Sequence, residues 1–193
     1  MSPSTQLYQE LVLYHPFDDA EAGDIKGFLK FIDTFQDHIY TRDNVIGHVC
    51  PTAFVVNKDR TKTLMAYHNQ FQTFAWLGGH ADGEINSLKV AEKEFVEESG
   101  LKNYRVLNNR KMFDFCTLYC ANHIKRGIYV PAHLHYLPIY LFEADEKDVP
   151  FVRPEEHSAI RWFPFEEAFE TVKKDIAYPV YQRIFEKIKT SGI

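Results

Sequence analysis

Glu94, Glu97 and Glu98 stand at positions i, i+3 and i+4 of the segment running from Asn86 to Leu101. At about 100° per helical residue they fall in one sector, while Glu92 points about 160° away from Glu94, so the grouping is selective. Leu88, Ala91, Phe95 and Ser99 make the adjacent face, predicted to be the buried one. Like charges at these spacings repel by roughly 0.2–0.5 kcal/mol per pair, and carboxylates in a last helical turn oppose the negative end of the helix dipole. A cation must compensate. Lys93, beside Glu97, offsets part of the repulsion, but clustered carboxylates best coordinate a hard divalent cation, Mg²⁺ or Mn²⁺. A solvated acidic face is the competing reading for any glutamate-rich helix. Gly78-Gly79 just ahead of the helix weighs against it, because a glycine pair lets backbone approach a phosphate or a metal without side-chain obstruction.

The elements that must position these groups are legible in outline. The carboxylate helix is expected near Asn86 to Ser99, opened by an Asn or Ser cap and closed by Gly100. Ahead of it, Ala53 to Val56 and Thr63 to Tyr67 flank the polar turn Asn57 to Arg60 and read as a hairpin. Strands are expected at 104–107, 111–120, 133–142 and 158–163, and a helical tail from Pro164. Residues 4 to about 40 read as helical, with Phe28, Phe31, Ile32, Phe35 and Ile39 forming an apolar stripe, an extension that packs on another surface. Strands mixed with a few segregated helices predict an α/β or α+β layered fold.

Composition bounds the rest. With 193 residues and a formal charge of −5, the chain suits one domain, or one plus an extension, and a general nucleic-acid binder is disfavoured. Its 45% hydrophobic content can fill a core, yet the longest apolar runs, such as Thr52 to Val56, are strand-length and too short to span a bilayer. The first four residues show no secretory signal, so the cytoplasm is the expected compartment. Cys50, Cys116 and Cys120 lack CxxC spacing and read as reduced core thiols.

Gly79 to Leu101 resembles the Nudix box, Gly-x5-Glu-x7-Arg-Glu-U-x-Glu-Glu-x-Gly-U, where U is a bulky aliphatic residue. Lys93-Glu94-Phe95-Val96-Glu97-Glu98-Ser99-Gly100-Leu101 matches its second half, with Lys93 in the arginine position and Phe95 at a U position. In the first half the family's glutamate falls on Ile85, and Asp82 and Glu84 stand nearby as substitutes. The Trp162-Phe163-Pro164 strand end extends the likeness over roughly residues 45 to 190, which the resemblance implies is the family domain, with residues 1–44 outside it as an N-terminal helical extension. The resemblance implies a Nudix α/β/α sandwich with a mixed sheet, acting as a pyrophosphohydrolase on the phosphoanhydride bond of a nucleoside diphosphate linked to another group. It further implies Glu97 and Glu98 as Mg²⁺ or Mn²⁺ ligands, Glu94 as a ligand or water-orienting residue, the Gly79 carbonyl as another ligand, and Lys93 as an orienting partner.

Outside the box, Glu156 is the candidate general base or water-mediated ligand implied by the same resemblance, against an exposed loop carboxylate. His80 follows the glycine pair and is expected either to contact a phosphate or to hold the loop by a structural hydrogen bond. His133 and His135 lie at i, i+2, on one face of a strand. A packed or hydrogen-bonded role is their default, with cleft lining and metal ligation as alternatives. Tyr67, Phe71, Phe74 and Trp76 could stack on a base but are most simply core or lid. Lys125-Arg126 could form a local basic groove. Ile85 and Lys93 keep open a Nudix-fold ligand-binding or regulatory domain without turnover. An isopentenyl diphosphate isomerase is the remote alternative, since Cys50 lacks that family's neighbouring residues. The aromatic N-terminal helix needs a surface to cover, on its own domain or on the partner of a homodimer.

Overall fold

A computed structural model describes residues 6–125 and 127–193; residues 4 and 5 of the expected helix, and Arg126 of the basic pair, lie outside the described residues. The N-terminal region is helical as expected, divided into α1 (Gln6–Val12) and α2 (Asp19–Phe35) and followed by a 3₁₀ turn, Gln36–Tyr40. Pro16 supplies the break, because it has no N–H to donate and disfavours helical backbone at the residue before it. Asp18 then restarts the helix as an N-cap, its carboxylate accepting from the Glu21 N–H.

The strands are β1 (Gly47–Val49), β2 (Thr52–Val56), β3 (Lys62–His68), β4 (Thr73–Ala75), β5 (Leu77–Gly78), β6 (Tyr104–Val106), β7 (Asp114–Cys120), β8 (His123–Lys125), β9 (Ile128–Val130), β10 (His133–Ala144) and β11 (His157–Pro164). β7 begins later than expected, and the short β4, β5, β8 and β9 are elements that periodicity did not reveal. Helices α3 (Ser87–Ser99), α4 (Phe165–Val172) and α5 (Tyr178–Ser191) complete the fold.

β10 is the axis of the main sheet. It runs parallel to β1 and β2 on one side and antiparallel to β6 and β7 on the other, while β3 joins β2 to β11. Strict alternation sends side chains to two cores. From β2, Ala53 and Val55 meet Phe28, Phe31, Phe95 and Phe142 on one face, while Phe54 and Val56 meet Phe163, Ala168, Tyr181 and Phe185 on the other. Helices thus cover both faces of a mixed sheet, α1 to α3 on one and α4 and α5 on the other. The aromatic stripe of α2 lies on its own chain, with the Phe28 ring 4.5 Å from Tyr136 and 5.1 Å from Phe115.

A buried ion network at β7 joins the two helical layers. Arg183 of α5 donates to both carboxylate oxygens of Asp114 at 2.9 and 2.7 Å, and Lys187 reaches Glu21 of α2 at 3.0 Å and Asp114 at 2.9 Å. Removing one partner of such a set strands the others in low dielectric. Asp114→Ala is therefore expected to destabilise the protein by about 3–5 kcal/mol, measured by chemical denaturation. A change within about 0.5 kcal/mol, the range of ordinary surface substitutions, would show that the network is dispensable.

Candidate functional site

Asn86 caps α3 by accepting from the Lys89 N–H at 3.0 Å, and Gly100 ends it in the left-handed region at φ 70°. No side chain fits at Gly100, where a Cβ would meet the Phe151 ring at 2.2 Å. The buried face is wider than the helical pattern indicated, since Val90 and Glu98 are buried with Ala91, Phe95 and Ser99, while Leu88 is only partly covered.

The glycine pair meets the carboxylates directly. β5 pairs with β2, which sets Gly78 against α3, and its N–H donates to Glu98 Oε2 at 3.0 Å. A Cβ on Gly79 would lie 2.6 Å from the Glu94 carboxyl carbon. Glycine is what lets that carboxylate stand where it does. Gly79→Ala is expected to push Glu94 aside without disturbing the sheet, lowering turnover about 100-fold with an unchanged melting temperature. Steady-state kinetics beside a thermal melt test this, and unaltered kcat would remove Glu94 from the chemistry.

Lys93 sits 3.1 Å from Glu94 and 3.5 Å from the half-exposed Glu97. Arg153, which the sequence did not single out, lies 3.4 Å from Glu97 and 3.6 Å from Glu156. His157 Nε2 is 2.9 Å from the Glu98 carbonyl and ties the start of β11 to the last turn of α3. The residue before it, Glu156, is consequently close enough for its charge to raise Glu94 and Glu98. Burial pushes Glu98 up to about 8, against the lowering effect of the Gly78 N–H, and Glu94 and Glu156 push in the same direction. Burial likewise raises Glu94, with Lys93 opposing. Carboxyl groups so reluctant to ionise, offering only oxygen, fit a hard divalent cation, whose charge would stabilise their ionised forms.

The first half of the box is occupied differently. Ile85 is 54% exposed and offers no ligand. Glu84 binds Lys89 and the Asn86 N–H, and Asp82 forms a bidentate pair with Arg42 at 2.6 Å, so both expected substitutes are engaged elsewhere.

His80 lies not among the glutamates but in a group of imidazoles, its ring 4.9 Å from His48 and 5.1 Å from His135. Burial lowers His80 to about 2, His135 to about 3 and His48 to about 4, so these rings are neutral at physiological pH. A neutral His80 offers a phosphate no charge. His133 and His135 do share a face, with Nε2 atoms 3.0 Å apart. Of the aromatics, Trp76 stacks on Tyr181 and Phe74 packs on Phe163, both partly buried against the core, while Phe71 remains exposed beside His68. Cys50, Cys116 and Cys120 are free and buried. No helix among the described residues is long and apolar enough to cross a membrane.

The family described as the NUDIX domain matches residues 48–184. No curated protein sequence matches. Among solved structures, a C. elegans Ap4A hydrolase in a binary complex aligns with TM-score 0.56 and 15% identity over 75% of this chain and 98% of its own. A Nudix hydrolase from M. smegmatis aligns with TM-score 0.52 and 15% identity over 75% and 88%. The E. coli dihydroneopterin triphosphate pyrophosphohydrolase gives TM-score 0.52 and 12% identity over 70% and 92%. At these identities the likeness is one of fold.

Proposed function

The chain belongs to the Nudix family, and from that premise we propose that it is a divalent-metal-dependent hydrolase of a phosphoanhydride bond in a nucleoside diphosphate derivative. The observation that carries this reading is the meeting of Gly78 and Gly79 with Glu98 and Glu94, which puts one buried and one partly buried carboxylate against partly exposed glycine backbone. Glu94, Glu97 and Glu98, with the Gly79 carbonyl, would hold Mg²⁺ or Mn²⁺. A cation held there would neutralise the diphosphate oxygens that repel a nucleophile and lower the pKa of water.

The chain's own residues do the remaining work. Lys93 and Arg153 bracket Glu97 and hold its carboxylate toward the cluster. Glu156 accepts the proton of the attacking water at a carboxylate oxygen, the phosphoanhydride P–O bond breaks, and the released phosphate carries the electron pair away. Arg153, 3.6 Å from Glu156, holds that carboxylate in place. The expected setting is the cytoplasm, and the expected partner a small molecule.

One observation favours a second reading. The exposed Ile85, with Glu84 and Asp82 paired elsewhere, leaves the cluster one carboxylate short, as a ligand-binding domain without turnover would have it. Product release from nucleoside diphosphate sugars, dinucleotide cofactors, dinucleoside polyphosphates and pteridine or nucleoside triphosphates, each with Mg²⁺, Mn²⁺ or chelator, separates the two. Chelator-sensitive hydrolysis of one class supports the enzyme. Ligand binding without turnover supports the second reading, and allylic isomerisation of isopentenyl diphosphate without phosphate release would replace both.

A further inference from the structure

We propose that His48, Cys50, His80 and His135 form a second metal site, specific for a borderline transition cation such as Zn²⁺ and distinct from the carboxylate cluster. One ligand atom from each of the four lies within 4.8 Å of the others. Three chain segments meet there. β1 and β10 run parallel with His48 directly opposite His135, and the Ala81 N–H donates to the Val49 carbonyl at 3.1 Å, laying the loop that carries His80 across β1. Cys50 follows on the same strand line, its N–H bonded to the Tyr136 carbonyl at 2.8 Å.

Hydrogen bonds decide which nitrogens keep lone pairs. His48 Nδ1 donates to the Asn44 carbonyl at 3.4 Å, which leaves Nε2 as the lone-pair nitrogen. That atom is buried in a residue only 5% exposed, and it has no hydrogen-bond partner. His133 Nδ1 must also donate, since its partner is the Pro131 carbonyl at 2.8 Å; in the neutral ring, Nε2 then accepts from His135 Nε2 at 3.0 Å. His135 is left with its lone pair on Nδ1. A buried acceptor left without a partner is unfavourable, and a cation would satisfy it.

Ligand chemistry selects the metal. Three imidazoles and a thiol offer nitrogen and sulfur where the carboxylate cluster offers oxygen, and four such donors match tetrahedral zinc rather than magnesium. The nearby cation, Arg42, is already neutralised by Asp82 at 2.6 Å. Tetrahedral bonds of about 2.0–2.3 Å place ligand atoms roughly 3.3–3.8 Å apart, so the cluster, whose ligand atoms lie within 4.8 Å of one another, draws together on binding, and the Cys50 thiol ligates as a thiolate with its proton released to solvent. Such a site would staple the loop whose preceding glycines support Glu98 and Glu94. Cys120, grouped with His133 and His135, offers only a three-residue alternative sharing His135.

The test uses the full chain stripped with chelator and reloaded with one equivalent of Zn²⁺ or Co²⁺. Wild type is expected to show tetrahedral cobalt bands with a thiolate-to-cobalt charge-transfer band, which Cys50→Ser abolishes and both Cys120→Ser and Glu98→Gln retain. His48→Ala should weaken Zn²⁺ at least about 100-fold in chelator competition, since losing even an outer-shell partner costs roughly 10–100-fold. X-ray absorption on the Zn²⁺-loaded wild type needs no variant, and should show one sulfur and three nitrogens. An all-oxygen shell, no charge-transfer band, or a band that survives Cys50→Ser would overturn the proposal.

Discussion

Glu98→Gln is expected to lower turnover by about three orders of magnitude or more while making the metal-free protein more stable. Both effects arise from burial. Withdrawing one ligand from a cation that contributes several kcal/mol of charge stabilisation costs roughly tenfold in rate per 1.36 kcal/mol. The stability gain follows because burial holds the native carboxyl up to about 8, from an ordinary 4.5. Below about pH 4.5 native and unfolded chains both carry the proton and no penalty exists. Between 4.5 and 8 the unfolded chain gives up the proton more readily than the native one, so native stability falls as pH rises through that window. Gln carries no charge at any pH. The variant should therefore match wild type near pH 4 and exceed it by on the order of a few kcal/mol at pH 8, read from denaturation curves with chelator present.

Glu97→Gln supplies the contrast. Its carboxylate is 41% exposed and already paired with Lys93 and Arg153, so a comparable loss of rate should come without the stability gain. Unaltered activity in both variants would sink the metal-site assignment. Loss of folding in Glu98→Gln would make that carboxyl structural.

Glu156→Gln is expected to lower kcat by roughly 10²–10⁴, the usual contribution of a positioned general base, while metal affinity at the carboxylate cluster stays within a few fold. Its exposed neighbour provides the control, since Glu155→Gln should leave kcat unchanged. Calorimetric Mn²⁺ titration beside the kinetics separates base from ligand. If Glu156→Gln weakens metal and rate together, Glu156 is a ligand, and if neither changes, it is the ordinary loop carboxylate that its sequence position also allows.

Much of the site was legible before any fold was known, and for a local reason. The helix Ser87–Ser99, its Asn86 cap and its left-handed Gly100 depend on contacts within a few residues, which spacing records directly. The common sector of Glu94, Glu97 and Glu98 follows from helical spacing in the same way. Which of the three is buried does not. Glu98 is the perturbed group because it is buried where β5 packs against α3, and the Gly78 N–H that β5 brings onto it across 20 residues only partly offsets that burial. The N-terminal break at Pro16 is also a local signal, and it divides a segment that reads as helical from residue 4 to about 40.

The partners that only tertiary structure supplied are all long-range. Arg153 reaches Glu97 across 56 residues, and His157 reaches Glu98 across 59, through the placement of β11 rather than any spacing in the chain. The imidazole and thiol cluster required the parallel register of β1 on β10. Each half carried its own i, i+2 pair, His48 with Cys50 and His133 with His135, and either pair alone reads as an ordinary strand. By itself the sequence determined the helix, its carboxylate face, the glycine loop and the layered α/β class, because periodicity and capping are short-range physics. Strand pairing and loop placement decided which carboxyl is starved of water and which histidines meet, because burial and register are properties of segments far apart in the chain.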